Sequence, residues 1–325
     1  MDRRVFVTCI GFSLLAVPPA TISQQRAKVP RLGFLRADPP PPGYTDAFEE
    51  GLRERGYVVG TTIVIDYRFG DGSTAEVARL ADELVKSKVD VLVAGGGQAT
   101  RAARNATSTI PIVMVSATDP GGAGTVASLA HPAGNVTGTN TLSWDLFGKR
   151  LELLKEIVPT ISRVAVLHNS RNPAPVDAWE QSLAAATRLG VKLQRVEVQS
   201  PSDLDAAFAT IVKERAEALI VVQSTMFDTP PYPIARLAAA NRIPAVYGSR
   251  ITSADRGLMS YGPNNRDTYR HAATFVDKIL TGAKPGDLPV ERPTKFELVI
   301  NVETASKLGV TIPQALLLRA DEVIQ

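Results

Sequence analysis

Short apolar runs alternate with longer amphipathic stretches along most of this chain of 325 residues. The run at 31–36 has the length of a strand, and 46–55 follows with helical spacing until Gly56 stops it. The same alternation predicts strands at 62–69, 89–94 and 110–115, with helices at 74–86 and 98–106 between them. Strands rich in Val and Ile, separated by helices with one apolar face, imply a parallel sheet covered on both sides.

The pattern then restarts. Strands are predicted at 163–167, 191–198, 218–222 and 244–247, and helices at 176–189, 202–215 and 234–241. Val89-Asp90-Val91-Leu92-Val93 has a counterpart in Ala216-Glu217-Ala218-Leu219-Ile220, as Ile110-Pro111-Ile112-Val113 has in Ile243-Pro244-Ala245-Val246. The expectation is α/β, with two doubly wound parallel-sheet lobes in tandem. A strand at 257–261, a helix at 267–280, a strand at 296–300 and a helical region from Val302 onward are too few for a third domain. They fit a chain that returns to the first lobe and crosses again, giving a three-segment hinge near 140–145, 248–256 and 286–296. Lobe I is then 28–142 plus 253–290, and lobe II is 143–252 plus 291–325.

The first 27 residues depart from this pattern. Arg3 and Arg4 precede an uncharged apolar run from Val5 to Val17 that ends at Pro18, Pro19 and Ala20. This is the layout of a signal peptide with a polar leader behind it, and it predicts export to the periplasm by the Sec or the twin-arginine route. The one cysteine, Cys9, lies inside that run, so no thiol chemistry and no disulfide is expected of the mature chain. Net charge is only +3, with 36 Lys and Arg spread among 33 Asp and Glu, which predicts no nucleic-acid partner. No spacing unites His131, His168 and His271 as metal ligands, and no nucleophile-elbow, phosphate-loop or zinc-protease motif is present. No catalytic residue, metal or cofactor is therefore expected.

At the level of motifs the chain resembles the ABC transporter substrate-binding family that includes tryptophan- and tyrosine-binding proteins. Four ordered segments carry the resemblance: Phe48-Glu49-Glu50-Gly51-Leu52-Arg53-Glu54-Arg55-Gly56-Tyr57; Asp119-Pro120 with Gly134-Asn135-Val136-Thr137-Gly138; Gly257-Leu258-Met259-Ser260-Tyr261-Gly262; and Lys295-Phe296-Glu297-Leu298-Val299-Ile300-Asn301. The resemblance implies the type I periplasmic binding fold, a monomer, a small-molecule solute and a membrane permease as partners, and no bond chemistry. One departure concerns the cleft: Gly96-Gly97-Gln98-Ala99 stands where Gly-Thr-Pro-Ala is expected, which allows a different solute.

In open parallel sheets ligands lie beyond the carboxyl ends of the strands, where helix N-termini present free N–H groups. That rule selects Asp38, Gly97, Gln98, Thr118 and Asp119 from the first lobe and Asn169, Asn172 and Ser224 from the second, with Phe227, Tyr247 and Tyr261 as flat walls. Polar anchors between aromatic faces suit an aromatic or branched amino acid, or an aromatic acid. Each residue also has an ordinary reading: Asp119 as a helix cap, the Asn and Ser residues as turn formers, the glycines as a plain helix start. A ligand-operated sensor for a membrane receptor and a two-lobe hydrolase or lyase are the competing functions.

Overall fold

Five parallel strands make the first sheet: β1 (Arg31–Arg36), β2 (Val64–Phe69), β3 (Val91–Gly95), β4 (Ile112–Ala117) and β5 (Val136–Asn140), in the order β2-β1-β3-β4-β5. The structure is a computed structural model that describes residues 28–118, 124–141, 143–172, 177–228, 233–250 and 257–325. Strand periodicity sorts the side chains of this sheet cleanly. Leu35, Leu92, Ala94, Ile112 and Met114 face α2 (Thr74–Lys86) and α3 (Gly96–Ala106). Phe34, Val91, Val93, Val113 and Val115 face α1 (Tyr44–Arg53) and a late helix described below. Burying each such side chain is worth about 1.5–3 kcal/mol, so these two layers hold the lobe together.

Helix α2 shows the local logic. Its N-cap Ser73 accepts a hydrogen bond from the Glu76 amide at 3.2 Å, Glu76 and Lys86 complement the dipole at opposite ends, and Val77, Leu80, Ala81 and Leu84 form the buried stripe.

The second half contains α4 (Phe147–Ile157), β6 (Arg163–Asn169), α5 (Ala178–Arg188), β7 (Lys192–Val198), α6 (Leu204–Lys213), β8 (Ala218–Val221), α7 (Thr225–Asp228), α8 (Pro233–Ala240) and β9 (Ala245–Tyr247). It continues with β10 (Met259–Pro263), α9 (Asn265–Leu280), β11 (Phe296–Asn301), α10 (Val302–Leu308), α11 (Gln314–Leu317) and β12 (Glu322–Ile324). The second sheet runs β12-β11-β10-β9-β8-β6-β7 and is parallel except for the pair β10–β11. Among the described residues no helix is long and apolar enough to cross a membrane.

One boundary differs from expectation. The strand near 257–263, assigned from sequence to the first lobe, lies in the second sheet between β9 and β11, because it pairs with both. The chain therefore crosses at Asn264, not at 248–256, and α9 then delivers Tyr269, Ala272, Ala273, Phe275 and Val276 to the first lobe's core. The other crossings lie between β5 and α4 and at 291–295. The third lies alongside the end of β5: the Glu291 amide donates to the Gly138 carbonyl at 2.9 Å, and the Asn140 amide donates to the Glu291 carbonyl at 3.0 Å.

Candidate functional site

The carboxyl ends of β1, β3 and β4 face those of β6 and β8 across the gap between lobes. A cavity of about 20 Å³ lies there, room for a water molecule. Lobe I lines it with Arg36, Tyr44, Gly96, Gly97, Ser116 and Thr118 and, from α9, Asn265 and Tyr269. Lobe II contributes Asn172, Gln223, Ser224, Thr225 and Asp228. Its rim is closed by contacts across the gap: the Thr225 hydroxyl donates to Asp38 at 3.0 Å, Arg171 Nη1 donates to the Gly72 carbonyl at 2.8 Å, and Arg101 donates to the Arg171 carbonyl.

Of the residues selected from sequence, Gly97, Thr118, Asn172 and Ser224 line the cavity. Asp38 stands one hydrogen bond behind it through Thr225, and Asn169 does so by donating to the Ser224 hydroxyl at 3.2 Å. Gln98 is turned to another task, donating to the Gly72 carbonyl at 3.0 Å. Asp119 lies outside the described residues.

The expected aromatic walls are elsewhere. Tyr247 points to the face of β9 opposite Val246, into the layer under α6 and α8. Phe227 joins that layer because α7 spends its cavity side on Thr225 and Asp228, three positions apart on a helix, and Phe227 falls on the other side. Tyr261 packs beside the layer that holds α4, with its ring 6.2 Å from that of Phe296. The aromatic faces at the cavity are Tyr44 and Tyr269, whose rings lie 5.0 Å apart.

Three charged groups dominate the field. Arg36 is 1% exposed; its Nε donates to the Asp38 carbonyl at 3.1 Å and its Nη1 to the Tyr269 hydroxyl at 2.7 Å. Burial opposes the guanidinium charge, but Tyr269, Asp228 and Tyr44 around it hold it firmly protonated. Asp228, which accepts from the Ser249 hydroxyl, has its carboxyl pushed up to about 6 by burial against the pull of Ser249 and Arg36. Burial also raises Asp38, offset in part by Thr225 and Arg36. The start of α3 at Gly96 adds the positive end of a helix dipole on the lobe I wall.

The lining is polar beyond what the protein itself satisfies. Arg36 Nη2, Asn172 Oδ1 and Gln223 Oε1 are buried with no hydrogen-bond partner among the described residues. Unmet groups of this kind cost about 1–3 kcal/mol each, so three around one cavity mark a place built to receive polar atoms from outside. Backbone strain points to the same spot: Ser116, at the irregular end of β4, has φ +56°. The chain has room to bend there because Gly138 of β5 comes so close that a Cβ would lie 2.0 Å from the Met114 carbonyl oxygen.

Residues 43–324 match the model of the family described as ABC transporter substrate binding protein. The chain belongs to that family. It is a family of solute-binding proteins, not enzymes, and this substrate-binding protein has the two-sheet α/β architecture of its relatives. A tyrosine-binding protein of Clostridioides difficile is 27% identical over 262 residues, covering 80% of this chain and 75% of the relative. A conserved domain protein of Vibrio cholerae is 28% identical with a TM-score of 0.84 over 91% of this chain and all of the other. A Streptococcus pneumonia ABC domain in complex with L-Trp is 25% identical with a TM-score of 0.81, covering 91% and 99% of the two chains.

Sequence reasoning missed Arg36, Asp228, Tyr44, Asn265 and Tyr269. Arg36 left a trace: a charged residue closing an otherwise apolar central strand. Asn265 and Tyr269 left none, since their arrival depends on where the chain crosses back.

Proposed function

We propose that this substrate-binding protein serves an ABC importer as a periplasmic monomer, holding an α-amino acid with an aromatic or branched side chain between its lobes and handing it to the membrane permease. The observation that carries the reading is the complementarity of the unmet groups. Arg36 Nη2 offers one charged donor, suited to a carboxylate, while Asn172 Oδ1, Gln223 Oε1 and the Asp228 carboxylate offer acceptors for the three N–H bonds of an ammonium. An aromatic acid without the amino group would satisfy only the first. The relatives named for tyrosine and crystallised with L-Trp support the aromatic class, and the Tyr44 and Tyr269 rings supply flat apolar surface.

A solute larger than water enters only when the lobes part. The rim contacts between Thr225 and Asp38 and between Arg171 and Gly72 must then break and re-form. Calorimetry with L-tryptophan, L-tyrosine, L-leucine and indole-3-propionate tests the proposal. The amino acids should bind, and the deaminated acid should bind roughly tenfold to a hundredfold more weakly, the cost of leaving buried acceptors unpaired. Equal affinity for tryptophan and indole-3-propionate, or no amino acid binding at all, would remove the basis for this reading.

A further inference from the structure

The largest fully buried cation of lobe II plays no part in lining the cavity. Arg150, on α4, is 0% exposed and forms none of the structure's described ion pairs with a carboxylate. Its donors go to three carbonyls from three separate segments: Nη1 to Ser143 at 2.5 Å, Nε to Tyr261 at 2.8 Å and Nη2 to Gly248 at 3.4 Å. Burial pulls its pKa down to about 10, so it stays charged at neutral pH. A buried guanidinium without an anion is expensive, and apolar filling would be cheaper if stability alone were at stake.

The acceptors are placed at the hinge. Ser143 lies in the first crossing, and Tyr261 sits in β10, three residues before the second crossing at Asn264. Gly248 closes β9, next to β10. Two glycines make the gathering possible: a Cβ at Gly248 would lie 2.9 Å from the Gln223 amide nitrogen, and one at Gly262 would lie 2.0 Å from the Gly248 carbonyl oxygen.

From Ser143 a chain of hydrogen bonds leads to the cavity. The Ser143 hydroxyl accepts from the Gln223 amide at 3.1 Å, Gln223 Nε2 donates to Asn265 Oδ1 at 3.2 Å, and Asn265 Nδ2 donates to the Tyr44 hydroxyl at 3.2 Å. Since Asn265 follows directly on the second crossing, the bonds close a ring that ties both crossings to Gln223, the residue with an unmet acceptor in the cavity.

We infer that Arg150 is a positioning residue that fixes the angle between the lobes at two of their three crossings and, through Ser143, holds Gln223 in place for the solute. The first half stands on the hinge geometry alone; the second rests on the proposed binding function.

The test measures lobe separation directly. Cysteines are placed at Ala75 on α2 and Ala206 on α6, both exposed and in different lobes, with Cys9 replaced by Ser; spin labels there report the interlobe distance. In the unsubstituted hinge the ligand-free distance distribution should be narrow. Arg150→Met should shift it by several ångströms or broaden it about twofold while circular dichroism stays native, whereas Lys149→Met, at the half-buried neighbour, should leave it unchanged. Ser143→Ala keeps the carbonyl that Arg150 holds but cuts the link to Gln223, and should weaken L-tryptophan binding tenfold or more. A folded Arg150→Met protein with the original distribution overturns the inference. If that variant does not fold, Arg150→Lys, which keeps the charge but cannot reach three carbonyls at once, decides it, since unaltered distances there would overturn it as well. Should the parent protein bind neither L-tryptophan nor L-tyrosine, the binding function fails, and the ligand-free distances of the Arg150→Met and Arg150→Lys proteins still judge Arg150.

Discussion

Asp228 and Arg36 set the electrostatics of the cavity, and their behaviour with pH separates their roles. With its folded pKa near 6 against an ordinary 3.8, the Asp228 carboxyl holds a proton between about pH 4 and 6 that the unfolded chain has released. Its contribution to stability therefore falls as pH rises through that window, and Asp228→Asn should remove this part of the decline in thermal midpoint. Binding of an ammonium should show the opposite dependence. Affinity for L-tryptophan should drop about tenfold per pH unit below 6, where the proton must leave first, and calorimetry of Asp228→Asn should give a weak, flat profile. Arg36→Met should lower affinity by a hundredfold or more at every pH, since it removes the charged donor for the carboxylate; an effect under threefold would show that the carboxylate is held elsewhere.

Among the elements, α9 carries the greatest consequence, and the strand that leads into it was the hardest to place from sequence. The helix itself was legible at 267–280 from its apolar spacing, as were β1 to β4 and β6 to β9, because each buries a stripe or face with its own period, whereas β5, α4 and α7 lay outside the predicted alternation. Its destination in lobe I was legible as well, since 253–290 was assigned there, but that of the strand before it was not. That strand, β10, joins the second sheet through an antiparallel pairing with β11, which leaves no mark in five residues of mixed character. The same limit explains the site: Phe227 and Tyr247 carried the right chemistry in the right loops, but helix phase and strand alternation turned them inward, whereas Asp228, one residue further, faces the gap. Helix α9 meets α1 at Gly51, where a Cβ would lie 2.2 Å from the Arg270 carbonyl oxygen. Gly51→Ala should then cost about 1–3 kcal/mol or more by forcing the helices apart, and Phe275→Ala about 3–5 kcal/mol through loss of packing. Urea melts would read both; a Gly51→Ala protein as stable as the parent would mean that the two helices slide freely.

Across the whole molecule, each lobe has its own two-sided core, and the cavity between them is bounded by polar groups with few rim contacts. Loss of the Arg171 guanidinium should favour the open arrangement, because its Nη1 bond to Gly72 spans the gap. Arg171→Ala should raise the radius of gyration in solution scattering without ligand and speed dissociation of a bound amino acid several-fold. An unchanged profile would mean that the rim contacts follow closure and do not hold it.

The route of the chain also bears on how the molecule comes into being. Tyr269, Phe275 and Val276 belong to the core under the first sheet, yet they are made long after that sheet's five strands. A ribosome that has released β1 to β5 has not released the helix that seals one of their faces, so the nascent first lobe keeps Phe34, Phe48 and Val113 uncovered until most of the second lobe has emerged. Neither lobe is a continuous stretch of chain, and a fragment ending before Asn265 should be captured by chaperones or degraded, not accumulate as a folded half. Late completion of the core keeps the chain loose for as long as it is being synthesised.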